Sequence, residues 1–272
     1  MIPWMRWFTF ALCSVLWFAL PVTQQFVPAE GADPLHRPFD QILDSNVRDG
    51  MVYYRALQGS RGALERYITS LNVAPATYEQ WSKPQRMSFW VNAYNAFVLQ
   101  TVIGHYPLRG TIRSIPGAFD KTPWRAAGKS VTLDQIEKTI LPEFKEPRLY
   151  LALGRGSVGS GRLRSEAYTA ERLDKQLADI QSEFVNNAHL YRLDRLANTV
   201  SVTPIISWRE ADFVEAYDKH DPAFTQRSPI ERAVVGFITP HLLPSEKELI
   251  QKNEWKMAFL EMDWKLNDLS GR

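Results

Sequence analysis

From Gln85 to Pro107 the chain reads QRMSFWVNAYNAFVLQTVIGHYP. On a helical period its apolar residues, among them Phe89, Trp90, Tyr94, Phe97, Leu99 and Ile103, cover almost the whole circumference. A helix apolar on every side is one buried on every side. Gly104 and Pro107 end it, and Asn92, Asn95, Gln100 and the polar flanks argue against a membrane span. Elsewhere the apolar stripe is one-sided. Leu64, Tyr67, Ile68 and Leu71 recur at i, i+3, i+4 and i+7, and Leu173, Leu177, Ile180 and Phe184 form a second stripe. Both stretches predict amphipathic helices lying on something apolar. Phe39, Ile42 and Leu43 predict a shorter one.

Helix starts are marked by capping signatures. Thr132 with Gln135, Ser207 with Glu210, and Ser228-Pro229 with Glu231 each place a hydroxyl three residues ahead of an acid or amide. That spacing ties off orphan amide groups in the first turn. Strand signals are fewer. LYLAL, residues 149–153, reads as a strand, and YRLDRLANTVSVTPII as a hairpin turning at Ala197-Asn198. WKMAFLEMDWKL near the end is read as a strand, and VRDGMVYY as a turn at Asp49-Gly50 into an extended segment. No regular alternation of strand and crossover helix emerges. The expectation is an α+β fold: a helix-rich single domain with a small antiparallel sheet.

The first residues obey another pattern. MIPWMRW carries one arginine, WFTFALCSVLWFAL is an apolar run, and Pro21 and TQQFVPAEGADP come next. This is the layout of a secretory signal, shorter than the roughly 20 residues of a membrane span. Residues 1–29 are therefore expected to be a signal peptide, or an uncleaved anchor with membrane association through residues 7–20. Residues 30–272 are expected to form the single domain, secreted or periplasmic. Cys13, the one cysteine, lies in the leader, so no disulfide framework or thiolate metal site is expected in the domain itself. The 32 basic and 30 acidic side chains nearly cancel. That balance argues against a nucleic-acid partner.

Residues 151–166, LALGRGSVGSGRLRSE, carry the densest chemical signal. Gly154 to Gly159 spell G-x-G-x-x-G, but no acidic strand end occurs at the distance a nicotinamide site requires. A phosphate loop fails for want of a lysine and hydroxyl after Gly159 or Gly161, and a hydrolase elbow fails because Val158 lies two before Ser160. What remains is a turn rich in backbone amides beside Arg155, Arg162 and Arg164. Such a turn is either an anion-binding nest or a surface loop with solvated arginines, the second being the commoner state of arginine. Asn92 and Asn95, three apart on the buried helix, need partners. They are either a polar clasp on a neighbouring segment or the wall of a pocket. Glu137, beside Ile136 and Ile140, either belongs with them or faces solvent. The five histidines are scattered without metal-binding spacing, and neither a metal nor a cofactor is expected.

FWVNAYNAFVLQTVIGHYP, VTLDQIEKTIL, LYLALGRGSVGSGRLRSEAY, IISWREADFVE and MDWKLND, taken together and in this order, resemble the domain of unknown function 547 family, DUF547, from about Phe39 to Asp268. The resemblance implies a scaffold compared with cysteine-peptidase-like or transglutaminase-like folds. It also implies a central loop reading HFALNCGSxSCPxL. Against that pattern Tyr150 stands at the family's His, Arg155 at its first Cys, Ser160 at its second and Gly161 at its Pro. Lys138 stands where a His is frequent. Asn92, Tyr94, Asn95, Glu137, Trp208, Asp212, Phe213, Asp263, Trp264 and Asn267 match.

The expectation is an exported, non-catalytic domain that binds a ligand or protein, with Asn92, Asn95, Glu137, Tyr150, Arg155 and Arg162 as binding residues and an acidic or peptide ligand as partner. The alternative is a serine-dependent hydrolase or acyl transferase. Ser160 would then be the nucleophile, Asn92 or Asn95 the oxyanion donor, and His105 or His189 the base. A third reading is a structural subunit of an envelope complex.

Overall fold

The computed structural model describes residues 33–269. The expected leader, Cys13 and residues 7–20 lie outside the described residues. Pro38 sits in the first turn of helix α1 (Arg37–Asn46), which buries Phe39, Ile42 and Leu43 as their spacing requires. Strands β1 (Val47–Arg48) and β2 (Met51–Val52) form a short antiparallel hairpin around Asp49-Gly50. Helices α2 (Tyr54–Gly59), α3 (Gly62–Ser70) and α4 (Pro75–Glu79) come next.

Helix α5 (Lys83–Gly104) is the axis of the fold. Every residue from Met87 to Ile103 is buried except Gln100. Ser82 and Gln85 close its first turn as a capping box. Each Phe, Val, Leu or Ile buried here contributes about 1.5–3 kcal/mol relative to exposure. The helix is enclosed by protein, with α2 and α3 against it. Among the described residues no helix is long and apolar enough to cross a membrane.

Beyond α5, strands β3 (Trp124–Ala126) and β4 (Lys129–Val131) form a second antiparallel hairpin. Helix α6 (Leu133–Gln135) starts at the Thr132 capping box. The chain then widens into a π-turn, Ile136–Ile140, and tightens into a 3-10 turn, Leu141–Phe144. Residues 149–153, expected as strand, are instead the end of a single helical turn, α7 (Arg148–Leu151), and the first residues of the loop after it. A short, fully buried apolar run fits either state by periodicity. Here Pro147 begins the turn, and α7 packs on α8 (Leu173–Phe184). All four stripe residues of α8 are buried.

The hairpin of β5 (Tyr191–Asp194) and β6 (Thr199–Val202) turns through Asn198 as expected. Helix α9 (Pro204–Trp208) begins at Thr203, whose hydroxyl accepts from Ile205 N. Ser207 does not cap the next helix, contrary to its spacing. Thr203-Pro204 is the stronger start signal, and it leaves Ser207 inside α9, donating to Pro204 O at 3.0 Å. Arg209 then breaks the helix before α10 (Glu210–Tyr217).

Helix α11 (Pro229–Ile238) opens on the Ser228–Glu231 box, and α12 (Pro244–Gln251) leads to β7 (Lys256–Phe259). Strand β7 joins β6 in parallel, so the three-stranded sheet is mixed rather than purely antiparallel. The fold class is α+β, with helices dominating. Ser228→Ala removes both the acceptor for Glu231 N and the hydroxyl on Glu231. A loss of about 1 kcal/mol in urea-unfolding free energy is expected.

Candidate functional site

The loop after α7 lies inside the protein. From Leu151 to Gly161 every residue except Val158 is buried, so it is not the surface loop with solvated arginines that its composition suggests. Arg155 is 1% exposed. Its guanidinium is held by Glu137, with Nη2 to Oε1 at 2.6 Å and Nε to Oε2 at 3.3 Å. Nη1 donates to the carbonyls of Tyr150 and Leu153 at 3.0 and 3.3 Å. The backbone of Arg155 is left-handed, with φ 32°, a conformation that costs a side-chain-bearing residue about 1–2 kcal/mol. The four guanidinium bonds hold it there.

Glu137 is buried as well, in the π-turn, and accepts a third bond from Tyr94 Oη at 3.1 Å. Burial pushes its carboxyl up, but Arg155 and the Tyr94 hydroxyl outweigh burial, and the group ends below its ordinary range. The expected partnership of Arg155 with an external acid is thus corrected: its carboxylate is internal.

Asn92 and Asn95 act on backbone. Asn92 Nδ2 donates to Tyr168 O at 2.8 Å, and Tyr168 N donates back to Oδ1 at 3.0 Å. Asn95 does the same across the loop entrance, to Ala152 O at 3.1 Å and from Gly154 N at 2.8 Å. This is the clasp geometry: the two amides tie residues 152–154 and 168 to α5. Ser160 is 2% exposed, and its hydroxyl lies 2.6 Å from Gly154 O and 2.8 Å from Ser157 O. Among the described residues no histidine bonds to it. His105 Nδ1 lies 2.9 Å from Thr101 O, and His189 is 3.8 Å from Asp263. Arg162 points elsewhere, pairing with Asp49 at 2.8 Å and Glu183 at 3.4 Å.

Above the Arg155–Glu137 pair opens a cleft of about 710 Å³. Lys138 and Arg209 stand at its sides, each already paired: Lys138 with Asp134 at 2.7 Å, Arg209 with Asp212 at 2.9 Å. Arg209 lies over the Tyr150 ring at 4.5 Å and donates to its hydroxyl, which donates in turn to Asp212. Burial raises the Tyr150 hydroxyl above its ordinary value, Arg209 opposing. Phe119, Trp208 and Trp264 form an aromatic wall. The two indoles are near-parallel, 17° apart with centroids at 6.3 Å, and Phe119 meets Trp264 at 73°. Arg113 sits over Trp264 at 5.0 Å.

Trp264 is placed by the glycine loop. Gly159 N donates to Asp263 O at 2.8 Å and Val158 N to Lys265 O at 2.9 Å. A Cβ on Gly159 would lie 2.5 Å from Asp263 N, so only glycine permits this approach.

Residues 78–185 match the family described as "Protein of unknown function, DUF547". This stretch belongs to the DUF547 family. It carries α5, the Glu137 turn, the Arg155 loop and α8, while Trp208, Arg209 and Trp264 complete the cleft from beyond it. No curated protein and no solved structure matches the chain.

Of the residues expected at the site, Glu137 and Arg155 line the cleft. Tyr150 lies beneath Arg209, Asn92, Asn95 and Ser160 sit in the packing behind, and Arg162 lines a separate depression. The aromatic wall is not among the residues expected to bind. Trp208 and Trp264 are marked in the sequence only as matches to the family pattern, and Phe119 not at all.

Proposed function

We propose that this DUF547 protein is an exported, non-catalytic ligand-binding domain whose ligand seats in the cleft over the Arg155–Glu137 pair. One observation carries the reading. The cleft floor is a buried guanidinium–carboxylate pair whose groups already bond one another, Tyr94 and two carbonyls. A nucleophile needs a positioned base. Among the described residues lining the cleft there is no serine, threonine, cysteine or histidine. The Ser160 proton is directed at carbonyls that cannot remove it. Tyr150, with its hydroxyl raised, does not serve as a base at neutral pH. The cleft volume falls within the range of ligand sites, roughly 300–1,000 Å³.

A serine-reactive fluorophosphonate distinguishes this from the hydrolase alternative. Folded protein is expected to remain unlabelled at Ser160. Labelling that disappears in Ser160→Ala would overturn the non-catalytic reading. Export is checked by intact mass of the protein from its host: a chain starting near Glu30 or Asp33 supports it, and one retaining Met1 does not.

A further inference from the structure

We infer that the ligand of this cleft is a saccharide. The inference rests on the reading of the cleft as a binding site and specifies its occupant. Three features point the same way. The first is the wall. Trp208 is 46% exposed, although a tryptophan gains most by burial, and it stands near-parallel to Trp264 with Phe119 beyond. An exposed indole at the rim of a cleft, backed by further aromatic rings, suits a ligand with flat apolar faces of its own. The C–H faces of a pyranose ring have that shape.

The second feature is the state of the charges. Arg155, Lys138 and Arg209 are each neutralised by a carboxylate at 2.6, 2.7 and 2.9 Å. A strongly anionic ligand would have to compete with those carboxylates, and a cationic one with the guanidinium groups. Paired groups keep unused N–H donors and oxygen lone pairs, however. Arg209 Nη1, for example, donates to nothing among the described residues. Hydroxyl groups both donate and accept, so a polyhydroxylated ring can bond to such pairs without breaking them.

The third feature is what is left over. Among the described residues, Asp120 and Arg113 line the cleft with no hydrogen bond or ion pair to their side chains, Arg113 lying only over the Trp264 ring. One accepts from hydroxyls. The other donates to hydroxyls or to the carboxylate of a uronic acid.

The test uses the intact protein and two probe sets, read by tryptophan fluorescence and titration calorimetry. The saccharide set is maltohexaose, chitohexaose, xylohexaose and hexagalacturonic acid. The aryl set is indole-3-acetate, phenyl phosphate and a Phe-terminated dipeptide. Binding of at least one saccharide is expected. Trp208→Ala should weaken it about tenfold, Trp208→Phe should restore most of it, and Asp120→Asn should weaken it several-fold, all with unchanged melting temperature. Arg113→Gln should weaken the saccharide that binds several-fold, and binding indifferent to it as well as to Trp208→Ala would place the ligand elsewhere. Binding of aryl probes but of no saccharide overturns this inference and leaves the binding cleft standing. Silence from both sets overturns both. Saccharide binding indifferent to Trp208→Ala and Asp120→Asn overturns the placement in this cleft.

Discussion

Arg155→Ala is expected to lower the unfolding free energy by about 3–5 kcal/mol, because it strands the buried Glu137 carboxylate without its cation. For a domain of this size the melting temperature should fall by roughly 10 °C. The alanine keeps a Cβ at the same left-handed position, so the loss reports the missing guanidinium rather than released strain.

The dependence on pH identifies the cause. In the native protein the Glu137 carboxyl lies below its ordinary range. Its contribution is present above the unfolded value and is lost as pH falls through the folded one. In Arg155→Ala, burial is no longer opposed by Arg155, and the carboxyl protonates more readily. The gap between variant and native protein should therefore narrow as pH falls through the carboxylate range. His36, lowered to about 4 chiefly by burial, titrates in both proteins and cancels in the difference. The double variant Glu137→Leu/Arg155→Met should recover much of the loss, since an apolar pair of similar volume leaves no charge to solvate. Urea unfolding at several pH values measures all three proteins, and a gap that widens in acid would refute the account.

The second large effect is expected at Gly161. A Cβ there would lie 1.6 Å from the carbonyl oxygen of Leu151 and 2.5 Å from its carbon. Both obstacles are backbone, at the end of α7, and they cannot rotate away. That turn is held by α8 on one side and by Arg155 on the Tyr150 carbonyl on the other. Gly161→Ala should cost about 3 kcal/mol or more, seen as a lowered urea midpoint or loss of soluble protein. Gly104→Ala is the control. Nothing lies within 4 Å of its added carbon, and it should leave the midpoint unchanged or slightly raised. Equal midpoints for the two variants would mean that the loop does not approach α7 so closely.

Parts of this architecture are visible in the sequence because they depend on local chemistry. Helix α5 announces itself through apolar residues on all sides, and the Thr132 and Ser228 caps through short-range hydroxyl spacing. Asn198 sits where a hairpin needs a left-handed residue. The failures come from interactions at long range. Arginine is usually solvated, so nothing at positions 155 to 164 says that one of them is buried. The partner that makes burial tolerable, Glu137, lies on a different turn. The apolar stretch 149–153 fits strand or helix until Pro147 and the packing of α8 decide. Ser207 loses its cap to Thr203-Pro204 a few residues earlier. The aromatic wall is assembled from Phe119, Trp208 and Trp264, three segments whose adjacency is tertiary and leaves no periodic trace.

The segment that carries Trp264 also bonds to the start of the domain. Val52 N donates to Asn267 O, Tyr54 Oη to Asn267 Oδ1, and Asn267 Nδ2 to Gly50 O. The first hairpin and the central loop thus wait on residues that leave the ribosome after every other part of the cleft. A nascent chain halted before Asp263 has the floor of the cleft but neither the last indole nor the clamp on its own beginning. The aromatic wall of the cleft and the anchoring of the first hairpin are therefore completed together, by one segment that is made after the rest of both.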